Sequence, residues 1–521
     1  MAKKKTVKTK SIEESLWDSA NKLRGSVESA EYKHVVLGLI FLKYAGDKFN
    51  QRRTEIITEG QKKHLEQKAF YAMKNVFFLE ESSRWSYIIS QAKQDDIALK
   101  IDTALHQIEK NNPILKGALP DNYFSRLGLD KSKLSALLDT INLIDTLQDN
   151  SQDFIGRVYE YFLGKFALKE GKGKGEFYTP KSIVNLIAEL IQPYKGIIYD
   201  PACGSGGMFV QSIKFIEAHN GNKKEVSIYG QELTNTTYKL GKMNLAIRGI
   251  AANLGERAAD TFHRDQHPDL KADYIMANPP FNQKAWRAED ELTDDARWKG
   301  YEVPPKSNAN YAWILNMVSK LSVNGVAGFI LANGALSGGG EEYKIRKKLI
   351  ENNLVEAIII LPRSMFYTTD ISVTLWILNR NKEEQEKGIG DTTVKYRIRG
   401  DEILFMDLRQ IGIPFEKKYI QFSEEQVERI ANTFHQWQSK NGTYENEPEY
   451  CFSASKEEVI KKDFSLVPSK YIEFINRDEN INFDEKMSGL KSELSDLLSQ
   501  QVKSNNQLQE VFKNLGYEIE L

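Results

Sequence analysis

The residues best suited to chemistry are Asn278-Pro279-Pro280-Phe281, which follow the apolar run Ala272–Ala277. Each proline fixes its own φ at about −65° and favours an extended conformation in the residue before it, so this proline turn is rigid. The Asn278 side-chain carbonyl and the Pro279 backbone carbonyl can each accept an N–H of a planar amine, and Phe281 offers a flat face for its ring. The turn therefore indicates chemistry on an amino nitrogen. Two prolines that only end a buried strand are the alternative.

A glycine loop, Asp200–Gly207, follows the predicted strand Gly196–Asp200 and opens a helix. This is the place where a nucleoside cofactor lies over a βα turn. Gly204, Gly206 and Gly207 allow a tight turn and the close approach of a ligand to the backbone, and Asp200 can pair with a cationic amino group. A dinucleotide site remains an alternative for this loop.

Two further acids follow the glycine loop. Glu232 ends the next predicted strand, close to the spacing of about 20 residues at which an acid reaches a ribose diol. The alternative is that Glu232 caps the following helix through Thr234. Asp260 is predicted to follow a further strand and to bind an adenine amine.

The elements that must position these residues fall into two classes. Residues 11–150 have apolar residues at helical spacing and predict an all-helical domain. Beyond a predicted hinge at Gly171–Gly175, strands and helices alternate, which predicts an α/β fold with a largely parallel sheet covered on both faces. The predicted strands are Gly196–Asp200, Val226–Glu232, Ala272–Ala277, Val326–Ala332, Val355–Leu361 and Ser372–Asn379. The predicted helices include Ala69–Phe78, Trp85–Ala92, Ile97–Ile108, Lys131–Leu147, Lys181–Gln192, Gly207–His219, Thr234–Arg248, Ala309–Leu321 and Glu341–Glu351.

Three segments lie outside the predicted helices and strands, or have more than one interpretation. Asn282–Asn308 is either a substrate-contacting lid or a plain insertion, and Asn381–Thr393 is predicted to be a variable excursion. The stretch from Asn482 onward has an apolar stripe at helical spacing, which is either the core of a small domain or a docking face for another chain.

Composition limits the class of protein. The 521 residues carry 71 Lys and Arg against 72 Asp and Glu, a net charge of −1, so unaided binding to nucleic acid would need a local basic patch. Two cysteines far apart argue against a disulfide framework, and no histidine spacing predicts a metal site. Residues 1–10 are predicted to be a disordered basic tail, no apolar run is long enough to span a bilayer, and we expect a cytoplasmic protein.

The order Asp-Pro-x-x-Gly-x-Gly, an acidic strand end and Asn-Pro-Pro-Phe resembles the methyltransferases that use S-adenosylmethionine on adenine N6 of DNA. Gly175–Lys181 resembles the segment that closes over the methionine end of the cofactor in one permuted class. From the residues alone it would be a helix start, with Thr179 as cap and Pro180 at the first helical position. With Leu16–Gly25 and Leu466–Tyr471, the chain resembles the modification subunit of a type I restriction-modification system.

The resemblance implies an S-adenosylmethionine-dependent, Rossmann-like sheet with a helical N-terminal domain (11–150), a methyltransferase domain (151–473) and a helical C-terminal tail (474–521). Its implied activity is methyl transfer from S-adenosylmethionine to adenine N6 in double-stranded DNA. The implied partners are a specificity subunit that reads the sequence, a second copy of the chain beside it, and a restriction subunit that can join.

The resemblance also assigns the site residues. Asn278, Pro279 and Phe281 would hold the target adenine, and Cys203 would pack rather than act as a nucleophile. The cofactor would be held by Glu176, Phe177, Tyr178, Thr179, Pro180, Lys181, Asp200, Ser205, Gly206, Gly207, Glu232 and Asp260. A methyltransferase for protein glutamine or ribosomal RNA, a nicotinamide oxidoreductase and a non-enzymatic scaffold are the alternatives.

Overall fold

A computed structural model describes residues 17, 29–144, 146–147, 158, 161–165, 179–366, 370–389, 392–415, 418–475 and 483–516. The chain forms two compact units, Met1–Ile472 and Glu473–Leu521. In the first unit the helices are α1 (Ser29–Thr58), α2 (Lys68–Ala72), α3 (Trp85–Ser90), α4 (Ile97–Asn111), α5 (Tyr123–Arg126), α6 (Lys131–Asn142), α7 (Lys181–Ile191), α8 (Gly207–Ala218), α9 (Asn235–Ile247), α10 (Asn310–Lys320), α11 (Gly340–Glu351), α12 (Glu424–Gln438) and α13 (Lys456–Lys461).

The strands are β1 (Gly196–Asp200), β2 (Val226–Gly230), β3 (Ala252–Asn253), β4 (Ala272–Ala277), β5 (Leu321–Ala332), β6 (Val355–Ile360), β7 (Val373–Asn379), β8 (Gln385–Ile389), β9 (Thr392–Tyr396), β10 (Glu402–Asp407), β11 (Ile413–Phe415), β12 (Tyr419–Gln421) and β13 (Cys451–Ser455). One sheet runs in the order β3-β2-β1-β4-β5-β7-β6-β10-β13. Within it, β7 and β13 are antiparallel to their neighbours and the other pairs are parallel.

The central strands are rich in apolar residues, as expected where both faces of the sheet are covered. Every residue of β6 and β7 is buried, as expected of strands packed between two layers. Helices α7, α8 and α12 pack on one face, and α10 and α11 pack on the other. This confirms the predicted α/β class with a largely parallel sheet.

Helices α1 to α6 have their own apolar core, which also takes in Leu240, Met243, Ala246 and Ile247 of α9. The helical N-terminal region is thus confirmed, and it packs directly on a helix of the α/β part. The predicted domain limits at 150 and 473 stay predictions. The predicted basic tail (1–10) and hinge (171–175) lie outside the described residues.

Some element limits were wrong. The predicted helix Ala69–Phe78 ends at Ala72, because Asn75 takes a left-handed φ of 54° and the Val76 N–H turns back to Tyr71. The predicted helix Lys131–Leu147 ends at Asn142. Most of the predicted excursion at 381–393 belongs to the β8–β9 hairpin.

The second unit contains one described helix, α14 (Phe483–Asn514), whose apolar side chains are largely exposed. The exposed ones include Met487, Leu490, Leu494, Leu497, Leu498, Val502, Leu508 and Val511. Among the described residues of this unit, the stripe is therefore not the core of a small domain. No helix in the described segments is long and apolar enough to cross a membrane.

Candidate active site

The register of the sheet brings the predicted site residues to one edge. Asp200 pairs with Gly230 across β1 and β2, and β1 is parallel to β4 on its other side. Because parallel strands end at the same edge, the glycine loop, Glu232 and the proline turn all emerge there.

The glycine loop turns sharply into α8 at Gly206, which has a left-handed φ of 78°. A Cβ at this position would lie 3.3 Å from the Leu245 side chain. Glycine is therefore required both by the backbone conformation and by the close packing of α9. Gly207, the first residue of α8, has no atom within 4 Å of its Cβ position.

Helix α9 packs against the glycine loop. The buried Asn244 side chain donates from Nδ2 to the Ser205 carbonyl at 2.7 Å and is 1% exposed. A Cβ at Gly241 would lie 2.9 Å from the Gly204 carbonyl, so only glycine lets the helix come this close. Neither Asn244 nor Gly241 carries a sequence motif that predicts this contact.

Two buried carboxyl groups face the loop. Asp200 is 2% exposed and accepts from the Ala202 N–H at 2.9 Å. Burial raises the pKa of Asp200 to about 8, and the neighbouring Glu232 carboxylate adds to the rise. Burial also raises the pKa of Glu232, although backbone N–H groups of Thr234 and Gly204 partly offset it. Removing either charge from water is unfavourable, so a cation or hydroxyl donor in this place would stabilise both ionised forms.

The two alternatives for Glu232 are not exclusive. Its Oε1 accepts from the Thr234 N–H at 2.8 Å, as expected of an acid at the start of α9. Its Oε2 accepts from the Gly204 N–H at 3.1 Å and so ties the end of β2 to the glycine loop. Each carboxylate oxygen has a second lone pair, so these bonds leave capacity for a hydroxyl donor.

The proline turn contains a buried polar atom without a partner. Asn278 donates from Nδ2 to the Thr179 hydroxyl at 3.1 Å, whereas its Oδ1 is buried and accepts no hydrogen bond. A buried carbonyl left in this state costs about 1–3 kcal/mol, which a ligand N–H would recover. Phe281 is half-buried beside it, edge to face with Phe366 at 6.5 Å between ring centroids.

These elements enclose a cavity of ≈ 610 Å³, including its open mouth. It is lined by Leu163, Thr179, Lys181, Val184, Asp200, Ala202, Cys203, Gly204, Ser205, Gly207, Met208, Gln211, Asn244 and Asn278. Six of the predicted site residues are therefore brought together: Thr179, Lys181, Asp200, Ser205, Gly207 and Asn278. Gln211 and Asn244 were missed, because helical residues with no motif around them carry no sequence signal for a site.

The remaining predicted residues lie around the cavity or outside it. Pro180 and Pro279 are buried, and α7 begins one residue later than its local sequence indicates, with Pro180 and not Thr179 at the cap position. Asp260 does not line the cavity; its Oδ1 accepts from the Phe262 N–H at 2.7 Å and caps a local turn. Glu176, Phe177 and Tyr178 lie outside the described residues.

Cys203 lines the cavity as a packing residue. Burial raises the pKa of its thiol well above the ordinary value, and the Asp200 and Glu232 charges raise it further. A neutral thiol is a poor nucleophile, which agrees with the expectation that it takes no part in covalent chemistry.

The segment 282–308 is anchored rather than loose. Trp286 and Trp298 are buried, and the Trp286 ring lies 4.6 Å from the Phe262 ring. Arg297 donates to the carbonyls of Thr261 and Phe262 at 2.8 and 2.6 Å. These contacts join the segment after the proline turn to the Asp260 turn.

Two known protein families match most of this chain. The sequence profile of the N-6 DNA methylase family matches residues 150–480, and that of the HsdM N-terminal domain matches residues 12–144. The methylase subunit of the type I restriction enzyme MjaIX from Methanocaldococcus jannaschii is 36% identical over 98% of this chain and 92% of its own length. The HindI methylase subunit of Haemophilus influenzae is 42% identical over 82% of this chain and 94% of its own.

Two solved structures share the fold. The type I restriction-modification methyltransferase subunit from Streptococcus thermophilus matches with a TM-score of 0.72 and 22% identity, over 89% of this chain and 99% of that chain. A structure concerned with complex assembly and conformational transition of the type I system matches with a TM-score of 0.59 and 18% identity, over 95% of this chain and 97% of that chain.

Proposed function

Since the chain belongs to the N-6 DNA methylase family, as a modification subunit of a type I restriction-modification system, we propose which of its residues perform the adenine methylation. The reaction is transfer of a methyl group to adenine N6 in DNA, which protects host DNA from the restriction activity. One observation carries the assignment: Asn278 lines the cavity, and its side-chain carbonyl is buried and unpartnered. The alternative of an RNA or protein-glutamine methyltransferase is not favoured, because the HsdM N-terminal match spans 12–144.

The cavity suits S-adenosylmethionine, which supplies the methyl group when bound. Asp200 provides an acceptor for the cationic amino group, and Glu232 provides acceptors for the ribose diol. The open space at the Gly207 Cβ position leaves room for a ligand over the start of α8. Ser205 and Gly206 would form the floor of this cofactor site.

The remaining cofactor contacts are proposed from the family resemblance. Glu176, Phe177, Tyr178, Thr179, Pro180 and Lys181 would form the wall before α7. Asp260 would serve the adenine end through its second carboxylate oxygen, since its Oδ1 is occupied by the local turn.

The target adenine must leave the duplex stack, because its amino group is otherwise paired. Stacking on Phe281 would offset part of that free energy, by roughly 1–3 kcal/mol for a base on an aromatic ring. Asn278 Oδ1 and the Pro279 carbonyl would each accept one N6 hydrogen, holding the nitrogen in line and favouring its developing positive charge. The methylated ammonium is acidic, so no strong general base is needed.

Partners are proposed from the family and from the surface of α14. A specificity subunit would read the DNA sequence, two copies of this chain would flank it, and a restriction subunit can join. The tail 474–521 would dock on a partner subunit through the exposed apolar stripe of α14. With host DNA as the proposed substrate, the proposed location is the cytoplasm. The limits 11–150 and 151–473 are kept as the proposed helical and methyltransferase domains.

The test is transfer of labelled methyl from S-adenosylmethionine to DNA, by the chain alone and by the chain with its specificity subunit. Incorporation at adenine only in the mixture supports both the chemistry and the delegated recognition. Asn278→Ala should leave cofactor affinity within about threefold of the wild type and reduce transfer by at least about 100-fold, because it removes an acceptor for the reacting amine. Substantial methylation by this variant in the assembled complex would refute the assignment.

A further inference from the structure

The Asn278 carboxamide must be held in one of two orientations for the proposed chemistry. Its carbonyl end accepts from an amine, whereas its NH₂ end presents donors and would oppose the target N–H groups. The terminal torsion of an asparagine is broad and roughly two-fold, so the side chain does not select the orientation by itself. Another group must bind the NH₂ end.

Thr179 is that group in the described part of the chain. Its hydroxyl accepts from Asn278 Nδ2 at 3.1 Å, across 99 residues of sequence, and both side chains line the same cavity. A hydroxyl has one hydrogen and two lone pairs, so it could also donate to Oδ1 of a turned carboxamide. It selects the orientation when its own hydrogen is donated into the cavity, because it can then only accept from Asn278 Nδ2. The bond leaves Asn278 Oδ1 as the unpartnered end.

A purely structural explanation for Thr179 is weaker. Before a helix, a threonine most often caps the first turn, yet α7 begins at Lys181 with Pro180 at the cap position and no side-chain cap bond. The Thr179 hydroxyl is instead directed across to the end of β4. Its partner there is Asn278, the residue that would contact the target amine.

We propose that Thr179 is a positioning residue for the target amine, because its hydroxyl fixes the Asn278 carboxamide with Oδ1 toward that amine. Thr179 would then contribute to the target side of the site as well as to the cofactor side, to which the segment before α7 is assigned. This role rests on the function proposed for Asn278. The segment before α7 then joins the cofactor side of the site to the target side.

The experiment compares Thr179→Val and Thr179→Ser in the complete complex with the specificity subunit. Valine matches threonine in shape but cannot accept a hydrogen bond, whereas serine retains the hydroxyl. In Thr179→Val the productive orientation leaves the Asn278 NH₂ end without an acceptor and is therefore disfavoured. We expect kcat to fall by about tenfold, which corresponds to about 1.4 kcal/mol against that orientation, with the Kd for S-adenosylmethionine from calorimetry within about twofold. Thr179→Ser should restore kcat to within about threefold of the wild type.

Thr374→Val is the matched control. The Thr374 hydroxyl is also buried and also bonds a carboxamide, donating to Asn333 Oδ1 at 2.6 Å, but neither residue lines the cavity. This variant should retain kcat, and thermal unfolding of all three variants shows whether the fold is intact.

Three results would overturn the proposal: unchanged kcat in Thr179→Val, a serine variant as slow as the valine variant, or a loss confined to cofactor affinity. The last result would leave Thr179 as a cofactor residue only. If Asn278→Ala is inactive while Thr179→Val is fully active, the positioning proposal fails and the proposed function stands. If Asn278→Ala is active, the proposed function fails first.

Discussion

The affinity of this chain for S-adenosylmethionine should pass through a maximum near pH 8, because of Asp200. Burial raises the pKa of this carboxyl to about 8, so roughly a tenth of the molecules carry the carboxylate at pH 7. The α-amino group of the cofactor has an ordinary pKa of about 7.7–8.0. The proposed ion pair needs the carboxylate and the ammonium together, and each is lost on a different side of pH 8.

The size of the effect follows from these two pKa values. The fraction of encounters in which both groups are charged falls roughly 25-fold from pH 8 to pH 6, because Asp200 takes up a proton. Above pH 8 the amine loses its proton and affinity falls again. Binding should therefore release close to one proton per site below pH 8 and take up close to one above it.

Calorimetry between pH 6 and pH 9, in buffers of different ionisation enthalpy, measures both the affinity and the proton count. Asp200→Asn should lower the affinity near pH 8 and abolish the decline below pH 8. It should also flatten the decline above pH 8, because the ion pair that needs both charges is gone. Glu232→Gln is the control, since the Glu232 charge raises the pKa of Asp200: this variant should move the acid decline to lower pH without removing it. Affinity that is constant from pH 6 to pH 8, or an acid decline that persists in Asp200→Asn, would refute the reasoning.

Substitutions in the glycine loop should separate stability from cofactor binding. Gly206→Ala should lower the free energy of unfolding by about 1–2 kcal/mol in thermal unfolding, because the left-handed φ of 78° disfavours a residue with a Cβ and that Cβ would also meet Leu245. Gly207→Ala should weaken cofactor binding in calorimetry with little change in stability, because its Cβ would enter open space. Arg399→Leu should lower the free energy of unfolding by about 3–5 kcal/mol, because it leaves the fully buried Glu356 without its guanidinium partner at 2.8 Å, and adding Glu356→Gln should recover part of the loss in urea unfolding.

The residues at the strand ends could be predicted from the sequence because each is marked by a local signal. Prolines after Asn278 and glycines after Asp200 interrupt apolar runs, and such interruptions place a residue at the end of a buried strand whatever lies elsewhere in the chain. For the same reason β1 and β4 have the predicted limits. Local signals do not state which side chains meet across the sheet, so the bond between Asn278 and Thr179 could not be predicted.

The part of the sheet beyond β6 was not predicted, since its strands depend on distant partners. β10 pairs with β6 and β13, which lie far away in sequence, and β13 has mixed burial and therefore weak periodicity. The Glu356–Arg399 ion pair could not be predicted for the same reason. A single acid in an apolar run predicts a strand, but the sequence does not indicate that Arg399 will bind that acid.

Helix α9 shows why a site residue can be invisible in sequence even when its helix is predicted. An amphipathic pattern distinguishes one buried face from one exposed face, whereas α9 is buried on two sides. Met243 and Ile247 enter the core of the N-terminal helices, while Gly241 and Asn244 hold the glycine loop. Asn244 then resembles any polar residue on a helix surface, although its side chain is buried and donates to the Ser205 carbonyl. Buried polar residues on helices with two packed faces are therefore where further contributors to this site should be sought.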